Sequence, residues 1–245
     1  MKTLLQLEKL ILAGLFLIQL FGCMPPLYFP NGINAPLLSK QGQFTMNAST
    51  DGICTDIQLA ASPGKKVGVL LNINFSDFET NSTSSYSYSG SLGSGSSNYT
   101  TTEGHSHSFF EGGIGTYKKL GTHGRFENFG LIGFGSATSF NDYNEIKGSY
   151  ARFAIQSDIG IETKAFEGIF SCRAGYLDLN VNHPGEPSSS YINPSSLFID
   201  PAITLRLGWR GFKLCTQYGL SIPFNGETSD WNPGWLTIGL QMKIQ

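Results

Sequence analysis

Seven charged residues are of types that could pair or do acid–base chemistry if one interior gathered them: Asp56, Glu111, Asp158 and Glu162, with Arg152, Arg173 and Arg206. Each falls on the polar side of an alternating stretch, so acids and guanidiniums share one face. Two carboxylates held together do acid–base work, whereas a carboxylate beside Arg forms a charge-assisted pair. Pairing is the expected role here, with Glu111 and Asp158 as twin catalytic acids the weaker alternative. His105 and His107 are two apart and so lie on one side of a strand. A metal would need a third ligand, and His123 falls at the opposite end of the element. No metal site and no cofactor are expected, and no Gly-x-Ser-x-Gly elbow, His-Glu-x-x-His helix or phosphate loop is present to make a catalytic centre.

The elements that position these residues have a period of two. Leu236, Ile238, Leu240, Met242 and Ile244 alternate with Thr237, Gly239, Gln241 and Lys243. The same pattern places Ile199, Ile203, Leu205, Leu207 and Trp209 against Asp200, Thr204 and Arg206. It recurs in Phe212–Ile222, Phe153–Ile161 and Val67–Phe75, with shorter versions at 43–49, 56–62, 107–118 and 169–177. Strict alternation marks strands with two unlike faces. Only 125–137 is untidy, because Phe126, Phe129, Leu131, Ile132 and Phe134 fall on both faces, and a bulge is expected there. About ten strands result, with eight as the alternative count. Short Gly-bearing turns at 62–66, 119–124, 164–168 and 210–211 alternate with longer polar segments at 78–105, 139–148, 182–196 and 224–234, besides a short one at 50–55. Turns of unequal length at the two ends are a property of outer-membrane barrels, whose short turns face the periplasm.

Composition indicates which face is outside. Only 14% of the chain is charged, 40% is hydrophobic, the net charge is −2, and there are 30 Gly and 18 Phe. A soluble barrel would show Lys- and Glu-rich strands to water, but these polar faces carry Gly, Ala, Ser, Thr and Asn with few charges. Such residues suit a lumen. Aromatics near the strand ends resemble two interfacial girdles: Trp209, Phe212 and Phe170 by the turns, Phe75, Tyr176 and Phe224 by the loops. The fold expected is all-β, an antiparallel up-and-down transmembrane barrel over residues 42–245. With 16 scattered Lys and Arg, a nucleic-acid surface is excluded.

Residues 1–22 carry Lys2 and Lys9 and the apolar run Leu10–Leu20, too short to span a bilayer and organised as a secretory signal. Leu20-Phe-Gly-Cys23 resembles a bacterial lipobox, which implies acylation of Cys23 after cleavage. Residues 24–27 hold no acid, and for Bacteroidota lipoproteins that implies the periplasmic leaflet of the outer membrane. Cys54, Cys172 and Cys215 have no metal spacing and read as packed thiols, though one pair could oxidise. Four Pro in residues 24–41 forbid a regular helix. Residues 23–41 therefore read as a tether from lipid to first strand, with Tyr28, Phe29, Leu37 and Leu38 able to pack under or into the periplasmic mouth. Tyr28-Phe-Pro-Asn31, Asn34-Ala-Pro-Leu-Leu38 and Gly42-Gln-Phe44 resemble the start of a family of Bacteroidota outer-membrane lipoproteins. Asp56–Ala60, Glu111–Gly115, Gly124–Glu127 and Gly239–Gln241 extend the resemblance. It implies a lipid-anchored barrel and carries over no activity.

The expected function is structural or interactive: the barrel presents polar loops to a surface partner, above all 78–105, read as a solvated mobile loop. Outer-membrane lipids and the barrel-assembly and lipoprotein-sorting machinery are the expected partners. A narrow channel for small solutes is the alternative, and a lipid-modifying enzyme a more distant one. The His-x-Ser pair of lipid A deacylase barrels is not reproduced, since each Ser here is adjacent to a His and points to the other face.

Overall fold

The computed structural model describes residues 26–90, 93–142, 145–182, 195–209, 211–224 and 231–244. The expected signal peptide and Cys23 lie outside the described residues, as do most of 182–196 and of 224–234. The strands are β1 (Phe44–Thr50), β2 (Thr55–Ala61), β3 (Val67–Gly90), β4 (Gly93–Leu120), β5 (Gly124–Asn141), β6 (Glu145–Glu162), β7 (Phe166–Asn182), β8 (Ser196–Trp209), β9 (Phe212–Leu220), β10 (Ile222–Pro223) and β11 (Gly234–Ile244). Each pairs antiparallel with the next along the wall, and β11 pairs with both β9 and β1, so the sheet closes on itself. β10 continues β9 against β8 in the same register, Ile222 facing Ile199 as Gly219 faces Ala202. The wall is therefore a closed antiparallel barrel of ten strands, as the alternation requires.

The barrel is inverted relative to a soluble one. Ile155, Ile114 and Ile238 are 68%, 65% and 59% exposed on its outside, and Leu205, Leu207, Leu214, Leu236 and Leu240 join them there. Arg152, Arg173, Arg206, Glu111, Asp158 and Asp200 are buried within. An apolar exterior around a polar interior is stable only where the outer face meets hydrocarbon, which makes this an outer-membrane-type barrel. The aromatics expected in the two girdles, Trp209, Phe212 and Phe170 at one end and Phe75, Tyr176 and Phe224 at the other, are all exposed on this outer face.

Three details differ from the sequence reading. No bulge occurs in β5, which keeps one register with β4 from Leu120↔Gly124 to Glu103↔Asn141 and one with β6 from Ile161 to Glu145. Its irregular pattern arises because Phe129 and Leu131 point inward, where an apolar cluster with Leu38, Phe109 and Leu70 takes them. Segment 139–148 is mostly strand, since β5 runs to Asn141 and β6 resumes at Glu145. The largest difference is 78–105, which is not a loop. β3 and β4 stay paired from Val67↔Thr116 to Gly90↔Gly93. β2 leaves β3 at Phe75, and β5 leaves β4 at Glu103. Residues 81–90 and 93–102 thus stand clear of the wall as a two-stranded ribbon, roughly 30 Å long at ~3.3 Å per residue. Ladder bonds alone do not select this pairing. Cross-strand hydroxyls add to it, with Thr83 and Thr100 at 3.2 Å and the Thr102 hydroxyl donating to Asn81 at 2.8 Å.

The outward face predicts a clear asymmetry. Ile155→Arg, near the middle of β6, is expected to destabilise the barrel by about 2–4 kcal/mol in urea titrations in lipid vesicles. A neutral effect would mean that this face meets water.

Candidate functional site: a lumen filled by the N-terminal segment

Residues 27–38 lie inside the barrel. Every one of them is buried, from Leu27 through Asn31 and Ile33 to Leu38. They run the length of the lumen rather than tethering its mouth. Tyr28 sits at the loop end, where it forms a parallel bridge with Trp231 and its carbonyl accepts from the Asn232 amide at 3.0 Å. Leu37 and Leu38 sit at the short-turn end, beside Gly160 and Gly68. From there the chain turns at Gly42, whose φ is +78°, and enters β1.

An extended segment in a closed barrel has no strand edge to pair with, because every wall strand is already paired on both sides. Its buried main chain must therefore be satisfied by side chains. The wall supplies them almost residue by residue. The Gly32 amide donates to Asp56 at 3.1 Å, and the Gly32 carbonyl accepts from Gln58 at 2.7 Å. Gln217 brackets Ile33, accepting from its amide at 2.7 Å and donating to its carbonyl at 2.9 Å. Gln156 donates to the Asn34 carbonyl at 2.8 Å, and Arg206 to the Ala35 carbonyl at 2.9 Å. Glu127 accepts both the Leu37 and Leu38 amides, at 2.9 and 2.6 Å, and Lys243 caps the Leu37 carbonyl at 3.1 Å. Leu37 holds φ at +50°, the left-handed region, which lets two successive amides converge on one carboxylate. Pro30 and Pro36 bring no amide at all and so reduce the number of donors to be met.

Space is matched as closely as polarity. A Cβ at Gly32 would lie 3.1 Å from Asp56 Oδ2 and 3.2 Å from Gln217 Oε1, so any side chain there would press on the oxygens that accept the Gly32 and Ile33 amides. On the wall, a Cβ at Gly68 would lie 2.7 Å from Leu38 Cδ1.

The sequence-derived charges divide among three clusters. In the first, Arg152 pairs with Glu111 at 2.6 Å and reaches the Tyr28 hydroxyl at 2.8 Å and Asn31 Oδ1 at 2.6 Å. Arg173 pairs with Asp200 at 2.7 Å and meets the same Asn31 oxygen at 3.0 Å. Asn31 is thus the hub that two buried guanidiniums share. The network continues from Glu111 through Asn72 to Asn34, and from Asp200 through Ser221 to Trp231. In the second, Glu167 binds Arg206 at 3.0 Å and Lys213 at 2.6 Å. In the third, Glu162 binds Arg125 at 2.9 Å and Lys243 at 2.6 Å near the turns, and Lys243 links this cluster to Glu167 of the second at 3.6 Å. Asp56 meets Asn74 at 2.9 Å as well as Gly32, and Asp158 meets Gln156 at 2.8 Å, so both serve as acceptors for neutral donors. Glu111 and Asp158 have different partners and do not form a twin-acid centre.

Several members were missed in the sequence. Asp200, Glu167, Lys213 and Lys243 carry the same alternation signal as the residues singled out and were legible on that ground. Glu127 was hidden by the irregular pattern of β5. Gln217 lies on the polar face of its alternating stretch as those four do, and Tyr28 is one of the residues expected to pack at the mouth; Asn31 gives no signal, since nothing in a Pro-rich segment marks it as an interior strand.

His105 and His107 both face inward near the loop end. Phe29 packs on His105 with ring centroids 4.5 Å apart, and His107 hydrogen-bonds Tyr150. Ser106 and Ser108 face outward, so neither shares a face with an imidazole. His123 is exposed at the turn end, and among the described residues no cluster of His, Cys, Asp and Glu suits a metal ion. Cys54, Cys172 and Cys215 are free thiols, on the β1–β2 turn, the outer face of β7 and the inner face of β9.

No protein-family model matches the chain, and neither does any curated protein. Among solved structures, the β domain of the Bordetella autotransporter Brka aligns with a TM-score of 0.36 and 12% identity, over 82% of this chain and 98% of that one. That likeness carries no argument about function.

Removing the hub should be costly. Asn31→Ala leaves two buried guanidiniums short of an acceptor, and a loss of about 2–4 kcal/mol is expected in urea unfolding. Ser85→Ala, on the exposed ribbon, should change stability by less than about 0.5 kcal/mol.

Proposed function

We propose that this chain is a lipid-anchored outer-membrane barrel with a structural or surface-interaction role, closed as a pore by its own N-terminal segment and built to hold the β3–β4 ribbon beyond the membrane. The observation that carries this reading is the filled lumen. A conducting barrel needs a water path along its lumen, and here residues 27–38 occupy the interior and bond to wall residues at every level. Ten strands enclose little space even when empty. The inward charges therefore hold the segment in place and do not line a path for ions.

What remains to interact is at the loop end. The ribbon is rich in Ser, Thr and Tyr, and the described side chains of residues 79–83 are exposed. Among the described residues, 76–90 of β3 have no strand partner on the side that β2 has left, and 93–101 of β4 have none on the side that β5 has left. A surface partner is offered hydroxyls and unpaired main-chain groups along two edges. The short turns at 62–66, 121–123 and 163–165 face the periplasm in this reading, following the habit of such barrels. Outer-membrane lipids cover the apolar band, and barrel-assembly and lipoprotein-sorting machinery deliver the chain. The resemblance to Bacteroidota outer-membrane lipoproteins supports the acylation of Cys23.

Two measurements test this. In planar bilayers the purified full chain is expected to stay silent; reproducible single-channel steps would favour the solute channel. On intact cells, added protease is expected to cut within 80–103 and to spare 119–124. The reverse pattern would invert the topology.

A further inference from the structure

The direction in which residues 27–38 run has a consequence for the lipid. The short-turn end holds Leu37 and Leu38, the start of β1 at Phe44 and the end of β11 at Ile244, which pair with each other. The loop end holds Leu27, Tyr28 and Phe29. Three contacts fix them there: Leu27 Cδ1 lies 3.5 Å from the Cβ position of Gly148, near the start of β6; Tyr28 pairs with Trp231, beyond β10; and Phe29 packs on His105, above the point where β2 begins. Pro26, the first described residue, therefore lies among the long loops, at the end opposite to the mouth where β1 begins.

Cys23 is four residues from Leu27. A fully extended chain covers about 3.3–3.6 Å per residue, so Cys23 lies within roughly 14 Å of Leu27. The apolar band of such a barrel is about 25 Å tall. The far leaflet is out of reach, and the way back through the lumen is occupied. We propose that the barrel carries its own N-terminus to the loop side, so that the acyl chains on Cys23 enter the outer, cell-surface leaflet and not the periplasmic one. This rests on the acylation and topology proposed above. It reverses the leaflet expected from the absence of acids after Cys23: a chain that crosses the membrane inside its own barrel needs no separate export signal.

The same geometry orders assembly. A closed ten-stranded wall encloses little space, and this one is lined by Arg152, Arg173, Glu111 and Asp200, so acyl chains cannot be drawn through it. The wall has to close around the segment, and the seam is at hand: β1, which follows the segment directly, is the strand that pairs with β11.

The test is labelling of a Met24→Cys variant of the full chain in intact cells with a membrane-impermeant maleimide, beside wild type as background. Labelling equal to that seen after outer-membrane permeabilisation is expected. Labelling that appears only after permeabilisation, while protease still cuts within 80–103, would overturn the proposal and leave the topology intact. Protease cutting at 119–124 instead would show that the topology itself is wrong. The mass of the N-terminal peptide is read separately. Acyl groups on Cys23 are expected, and their absence together with surface labelling would overturn the lipid placement through the anchor and not through the threading. Should Met24→Cys impair processing, an epitope inserted between Met24 and Pro25 and detected by antibody on intact cells gives the same two outcomes.

Discussion

A closed barrel leaves no free strand edge, so any chain inside it must find hydrogen-bond partners among side chains. Most of the chemistry of this lumen follows from that constraint. Gln217 brackets one residue of the segment, Gln58 and Asp56 bracket another, and Glu127 gathers two amides whose convergence costs Leu37 a left-handed backbone. That conformation is unfavourable by about 1–2 kcal/mol for a residue with a Cβ. The two amide bonds to the Glu127 carboxyl, at about 0.5–1.5 kcal/mol each, together offset it by a similar amount. The interior residues are long and polar because they have to reach a main chain at the barrel axis.

The ion pairs follow from the same requirement. A guanidinium that donates to the segment is buried, and a buried charge without a counter-ion is strongly destabilising. Arg152 and Arg173 each take one acid of the wall and share one acceptor of the segment. Wall and segment are thus neutralised together, and neither is complete alone. The apolar residues of the segment obey the complementary rule. Leu27, Tyr28 and Leu38 join Phe109, Phe129, Leu131, Leu177 and Phe198 in a core inside the barrel, an arrangement a water-filled pore does not have.

Much of the wall was legible in the sequence because one physical rule governs it. Residues 236–244 alternate without exception, as β11 does in the structure, and the low charge of the polar faces marked them as inward. The rule misled where its premise failed. It assumes that the inner face is polar, and in β5 Phe129 and Leu131 are inner residues that serve the core, so a bulge was inferred where the register is regular. It also assumes that strands end where apolar residues end. The Ser/Thr ribbon breaks that assumption, because its pairing is carried on from the wall by main-chain bonds and cross-strand hydroxyls. The lumenal segment was the least legible of all. Proline content says only that residues 24–41 are extended, and an extended tether and an extended interior strand have the same composition. What separates them is the set of partners, and those are spread over β2, β5, β6, β8, β9 and β11.

The central claim is that the main chain of residues 32–38 is held by side chains of the wall. Hydrogen exchange of the Gly32, Ile33, Leu37 and Leu38 amides in the assembled barrel tests it most directly. Protection comparable to that of amides in β6 and β7 is the result expected of groups bonded inside a filled lumen. Exchange at the rate of an unstructured peptide, with the wall amides still protected, would contradict it.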